Sequence, residues 1–118
     1  MRQTFRPNER VQRRADFQRI YTRGQKLHGR FMTMFVLATD APGARLGVAA
    51  TRKLGNAVER NRAKRLAREL FRRHKPNRGT DVVIVPKREL LTQSFTRLET
   101  EFGTMLRRSG GRQRSTPP

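Results

Sequence analysis

Apolar residues recur at helical spacing in three stretches of the chain and crowd together, strand-like, in three others. The clearest helical stretch carries Ala63, Leu66, Ala67, Leu70 and Phe71 at i, i+3, i+4, i+7 and i+8, the stripe of a helix packed on a core. It is entered through Gly55-Asn56 and ends before Pro76. A first helix is expected over about Arg13–Arg23, with Phe17, Ile20 and Tyr21 on one side and Gly24 as its C-terminal cap. A third covers about Glu89–Arg108, where Leu91, Phe95, Leu98, Phe102 and Met105 hold the rhythm until Ser109-Gly-Gly. Phe31–Thr39 is nearly continuously apolar and Arg45–Thr51 is a second short run. Asp40-Ala-Pro-Gly between them has turn chemistry, so residues 31–51 read as a β-hairpin. Asp81–Val85, rich in β-branched residues, follows the breaker Pro76-Asn-Arg-Gly79 and makes a third strand. The order α-β-β-α-β-α predicts one α+β layer structure. Residues 1–108 form a single domain in this reading, and the Gly/Pro/Arg-rich residues 109–118 form a flexible basic tail.

Charge narrows the class of partner. The 118 residues hold 28 Lys/Arg against 9 Asp/Glu, for a net +19 and a pI near 12.0. Such a field repels itself and favours a strongly negative partner, nucleic acid first and an anionic membrane second. Its distribution is uneven: +7 over residues 1–30, zero over 31–51, +8 over 52–75 and +4 over 76–118. No apolar run approaches the roughly 20 residues that span a bilayer, and the N-terminus lacks a secretory h-region. There is no cysteine, so disulfides and thiolate metal sites are out, and a reducing cytoplasm is the expected setting.

The acids speak against a catalytic centre in the polypeptide. Glu9, Asp16, Asp40, Glu59, Glu69, Asp81, Glu89, Glu99 and Glu101 are singly placed, whereas a metal-dependent nuclease needs several converging carboxylates. Asp16 suits a helix start for dipole reasons alone. His28 and His74 are isolated, and Ser94, Ser109 and Ser115 have no nucleophile context. Phosphate binding is better supported. Arg52, Lys53, Arg60, Arg62, Lys64, Arg65, Arg68 and Arg72 lie on or beside one helix, and the arginine fork matches phosphate oxygens in a bidentate way. Asn61, Arg65, Arg68 and Arg72 fall opposite the apolar stripe, while Glu59 and Glu69 are expected to pair with Arg62, Arg65 or Arg73. Asn56 either caps this helix or joins the binding face. Phe17, Tyr21 and Phe35 are either ordinary core or a platform for unpaired bases, with Arg14, Arg52 and Lys53 as flanking cations.

The run Lys53-Leu-Gly-Asn-Ala-Val-Glu-Arg60-Asn61-Arg62-Ala-Lys64-Arg65-Leu-Ala-Arg68-Glu69 resembles the RNR motif of the bacterial ribonuclease P protein subunit family. The likeness extends to Arg14-Ala-Asp16-Phe17-Gln-Arg-Ile-Tyr21, Gly24, the strand bearing Phe35, Leu46-Gly-Val-Ala-Ala and Asp81-Val-Val-Ile-Val. It implies a small α/β sandwich with a left-handed βαβ crossover, where sequence alone predicts the usual right-handed one. It also implies a protein without catalytic or metal-binding residues of its own. In this family a large RNA subunit with bound magnesium hydrolyses precursor tRNA to free the mature 5′ end. By position, Asn56, Arg60, Asn61, Arg62, Lys64, Arg65 and Arg68 would contact the catalytic RNA in a 1:1 complex. Arg14, Phe17, Tyr21, Phe35, Thr51, Arg52 and Lys53 would serve the single-stranded 5′ leader. Tyr21 stands where phenylalanine is common, and Thr51 where lysine or serine is common. A ribosomal or other structural RNA-binding protein would share the charge and size, and a DNA-compacting protein would show no preference for RNA.

Overall fold

The computed structural model describes residues 9–109; apart from Ser109, the basic tail lies outside them. Helix α1 (Arg14–Arg23) is followed by strands β1 (Gln25–His28), β2 (Met32–Ala38) and β3 (Ala44–Val48), helix α2 (Ala57–Arg73), strand β4 (Thr80–Pro86), a 3-10 helix (Arg88–Thr92) and helix α3 (Phe95–Arg108). The α+β class and the order of the expected elements stand, with β1 added. The strands form one sheet in the order β1-β2-β4-β3, with β3 parallel to β4 and the other neighbours antiparallel.

This order corrects the expected 31–51 hairpin. β2 and β3 do not pair, because β4 lies between them with Phe35 opposite Val83 and Gly47 on its other side. The reason is burial: Val82, Val83 and Ile84 are fully buried, so β4 is apolar on both faces and takes a central place. The Asp40-Ala-Pro-Gly turn instead leads the chain around the start of β4, where Thr39 N–H donates to Gly79 O (2.7 Å) and Gly79 N–H to Gly43 O (3.0 Å). The strand that does form a hairpin with β2 is β1, a short polar edge that buries only Leu27.

The two faces of the sheet carry different layers. Ala63, Ala67, Leu70 and Phe71 of α2 join Leu98, Phe102, Met105 and Leu106 of α3 over Met34, Leu46, Val82 and Ile84. Leu66 of the expected stripe packs against this cluster while partly buried. On the other face Ile20 of α1 meets Val83 and Val11. The handedness of β3-α2-β4 follows from these faces. Leu46 points toward α2 and offers its carbonyl to Val11 N–H (2.9 Å) on the edge away from β4. With β3 running up and that side chain toward the viewer, the carbonyl of an L-residue points right, so β4 is on the left. A connection through the near layer that moves left is left-handed, as the resemblance implies and against the general rule.

Gly24 caps α1 as expected, its N–H donating to Ile20 O (2.8 Å), but with φ −74° rather than in the left-handed region; a Cβ there would lie 2.5 Å from Ile20 O and 3.1 Å from Val36 O, and close approach explains the residue. Gly47 likewise leaves room for Phe17, whose ring would be 2.8 Å from an added Cβ. The expected helix from Glu89 is divided: Leu90 and Leu91 are buried from the 3-10 helix, Gln93 is extended, and Ser94 restarts the chain by accepting Arg97 N–H (3.3 Å).

Candidate nucleic-acid interface

α2 starts at a complete capping box. Asn56 Oδ1 accepts Glu59 N–H and Glu59 Oε1 accepts Asn56 N–H, each at 2.9 Å. Asn56 therefore has a structural task, and Glu59 serves this box rather than an arginine of its own helix, with Arg88 3.9 Å away. Arg60 Nη1 donates to Gly55 O (2.8 Å), which ties this side chain back to the turn before the helix. Glu69 is taken by Arg72 and, at 2.9 Å, by Arg73. Hydrogen bonds from Arg72 and then Arg73 hold its carboxyl below the usual carboxylate range. Asn61, Arg62 and Arg65 are exposed, and Lys64 and Arg68 are half-buried. Among the described residues no ion pair reaches Arg62, Lys64, Arg65 or Arg68. Burial, and then nearby Arg10, pull the Arg68 guanidinium below its ordinary value.

The aromatic set lies on the opposite face of the sheet, between α1, which carries Phe17 and Tyr21, and β2, which carries Phe35. The Tyr21 and Phe35 rings meet edge-on at 4.9 Å, and Phe17 and Tyr21 are 6.2 Å apart. All three are half-buried. They are both core and surface: Ile20 and Val83 behind them are sealed, whereas Thr33, Val85 and Ala49, one row further along the sheet, remain partly open. Burial raises the Tyr21 hydroxyl pKa, so the phenol stays neutral. Arg14 is exposed one turn before Phe17, on the same side of α1. Thr51, Arg52 and Lys53 leave the sheet at its open end in a turn pinned by buried Leu54, whose N–H donates to Thr51 O (3.0 Å).

The two surfaces meet at a 230 Å³ cavity lined on one side by Lys64 and Arg68 and on the other by Phe17, Arg10 and Gln12. Sequence reasoning missed Arg10 and also Lys26, whose ammonium sits 5.6 Å over the Phe35 ring. The second became visible only with β1, which pairs Lys26 with Phe35. A further missed feature holds α1 in place. Fully buried Asp81 accepts Arg45 Nε and Nη2 at 3.0 and 2.8 Å, and Asp16 and Arg19 complete an alternating cluster. Hydrogen bonding to Asp81 raises the Arg45 pKa further.

A family model for ribonuclease P matches residues 5–110. The chain belongs to this family. It is 35% identical over 105 residues to the ribonuclease P protein component of Syntrophus aciditrophicus, covering 87% of this chain and 88% of that one. The corresponding protein of Desulfovibrio desulfuricans is 38% identical over 115 residues, covering 92% and 88%. Among solved structures, the ribonuclease P protein of Thermotoga maritima superposes with a TM-score of 0.75 at 31% identity, covering 85% of this chain and 96% of that one. The Staphylococcus aureus protein superposes at 0.74 and 29%, covering 84% and 93%. No helix of the described residues is long and apolar enough to cross a membrane, and no three of their His, Asp or Glu side chains converge as a metal site.

Proposed function

We propose that this chain is the RNA-binding protein subunit of a cytoplasmic ribonuclease P, that α2 docks on the catalytic RNA in a 1:1 complex, and that the platform under α1 receives the single-stranded 5′ leader of precursor tRNA. Hydrolysis then belongs to the RNA subunit with its magnesium, and the protein contributes capture and charge neutralisation. The observation that carries this reading is the adjacency of two unlike surfaces. Arg62, Lys64, Arg65 and Arg68 of α2, which lack acidic partners among the described residues, meet a half-open aromatic cluster across one small cavity. Arg62, Lys64, Arg65 and Arg68 suit phosphates of a folded RNA, whereas rings open on one side suit bases that are not paired. Asn56 and Arg60 act on that RNA mainly by fixing the start of α2, and Asn61 is presented beside them. Arg14, Thr51, Arg52 and Lys53 border the leader's path.

Phe17→Ala tests the assignment. With stacking contributing about 1–3 kcal/mol per base, the variant should bind leader-bearing precursor tRNA about tenfold more weakly in the reconstituted holoenzyme, and mature tRNA as well as the parent does. Equal loss for both tRNAs would point to a purely structural role.

A further inference from the structure

A 560 Å³ pocket lies between the β1–β2 turn and α3, lined by His28, Arg30, Phe31, Arg97, Thr104 and Arg108 among others. Arg97, Thr104 and Arg108 form one stripe of α3, spanning about 16 Å at 1.5 Å per residue. Arg30 faces them from the turn. Glu101, the one carboxylate lining the pocket among the described residues, is already occupied: it accepts the backbone N–H groups of Arg30, Phe31 and Met32 at 2.7, 2.9 and 3.1 Å. It fixes the turn that presents Arg30. The Arg30 and Arg97 guanidiniums flank the Phe31 ring at 5.9 and 5.8 Å. Among the described residues none of Arg30, Arg97 and Arg108 makes an ion pair, unlike Arg72 and Arg73 on Glu69. Three guanidiniums without an ion pair among the described residues, around one pocket of a chain of net +19, favour an anion there.

Position indicates which anion. Lys26 and His28 share one face of β1; Lys26 covers Phe35 of the aromatic platform, and His28 lines the α3 pocket. The two sites are thus joined around the end of the sheet. From Phe35 to Phe31 is about 13 Å along the strand, the length of about four nucleotides at a stacked rise of about 3.4 Å. We propose that this pocket is a distal subsite for single-stranded RNA, holding the sugar-phosphate backbone of leader nucleotides that run past the platform. The inference rests on the leader reading proposed for α1 and β2.

The test uses full-length protein reconstituted with the catalytic RNA and precursor tRNAs of two kinds: the short leader is the shortest on which Phe17→Ala weakens binding, and the long leader extends about eight nucleotides further. Arg97→Ala/Arg108→Ala alters two exposed side chains. It should weaken the long-leader substrate about tenfold, reduce the salt slope of its binding by about 1.4, and leave the short-leader substrate unchanged. Because the chain has no cysteine, a photocrosslinker on Thr104→Cys reports this pocket alone and should capture leader nucleotides beyond the platform. Unchanged binding, equal loss at both lengths, or crosslinks to the catalytic RNA alone would overturn the subsite. Phe17→Ala measured across leader lengths separates the two levels. If it weakens binding at some length while the α3 variant does nothing at any, only the subsite fails; if it is silent at every length, the leader reading fails with it.

Discussion

Replacing Asp81 by alanine is expected to destabilise the fold by about 3–5 kcal/mol, the cost of leaving part-buried charge without its partner. Asp81 is fully buried on the central strand, and its carboxylate takes two donors from Arg45 of β3. Arg19 of α1 stands 3.8 Å from the same carboxylate and 3.0 Å from Asp16, which is itself 3.5 Å from Arg45. Two acids and two arginines alternate, so each charge is screened by opposite neighbours, and α1 is fastened to the sheet by them. Removing Asp81 leaves two guanidiniums facing each other with one partly exposed acid. Since Phe17 and Tyr21 ride on α1, leader binding should fall as well. Thermal unfolding followed by circular dichroism should show a midpoint lower by more than about 10 °C. A loss below about 1 kcal/mol would mean that the cluster behaves as an ordinary surface pair.

The second large effect is expected on α2. Arg65→Ala/Arg68→Ala should weaken assembly with the catalytic RNA about a hundredfold at low salt. It should also lower the slope of log affinity against log salt by about two, one for each phosphate no longer neutralised. Arg73→Ala serves as the comparison. It removes one such charge from the same helix, but its guanidinium is already held by Glu69 at 2.9 Å, so the loss should stay below about threefold, against about tenfold for each of the other two. Filter binding across a salt series reads both numbers. If all three positions proved equivalent, the helix would be acting only through net charge, and the distinction between partnered and unpartnered arginines would fail.

Much of this was legible in the sequence where one residue type reports one environment. The α2 stripe of Ala63, Ala67, Leu70 and Phe71 gave the buried side of a helix, and the arginines opposite gave its exposed side. The class, three helices and three of the four strands followed from such periodicities. Pairing did not, because Asp40-Ala-Pro-Gly satisfies a hairpin and a strand that is merely passed around equally well. The missing clue was in Asp81–Val85: a β-branched run with no polar alternation belongs in the middle of a sheet. β1 was invisible because an edge strand that buries only Leu27 has no apolar pattern to show. With β1 absent, Lys26 over Phe35 and His28 beside α3 could not be placed. Asp81 at the head of a strand looks like a solvent-facing turn residue until the register sets Arg45 beside it. Asn56 was left between capping and binding by its sequence, and the capping box with Glu59 supplies the structural half of that choice.

A chain that promotes cleavage by an RNA subunit without cleaving anything itself should reveal that division of labour in single-turnover processing of leader-bearing precursor tRNA at low magnesium, with catalytic RNA alone, this protein alone, and both together. Correct 5′ maturation at low magnesium is expected only when both are present, with no cleavage by the protein alone. Correct processing by RNA-free protein, or no gain when the protein is added to the RNA, would contradict that division of labour.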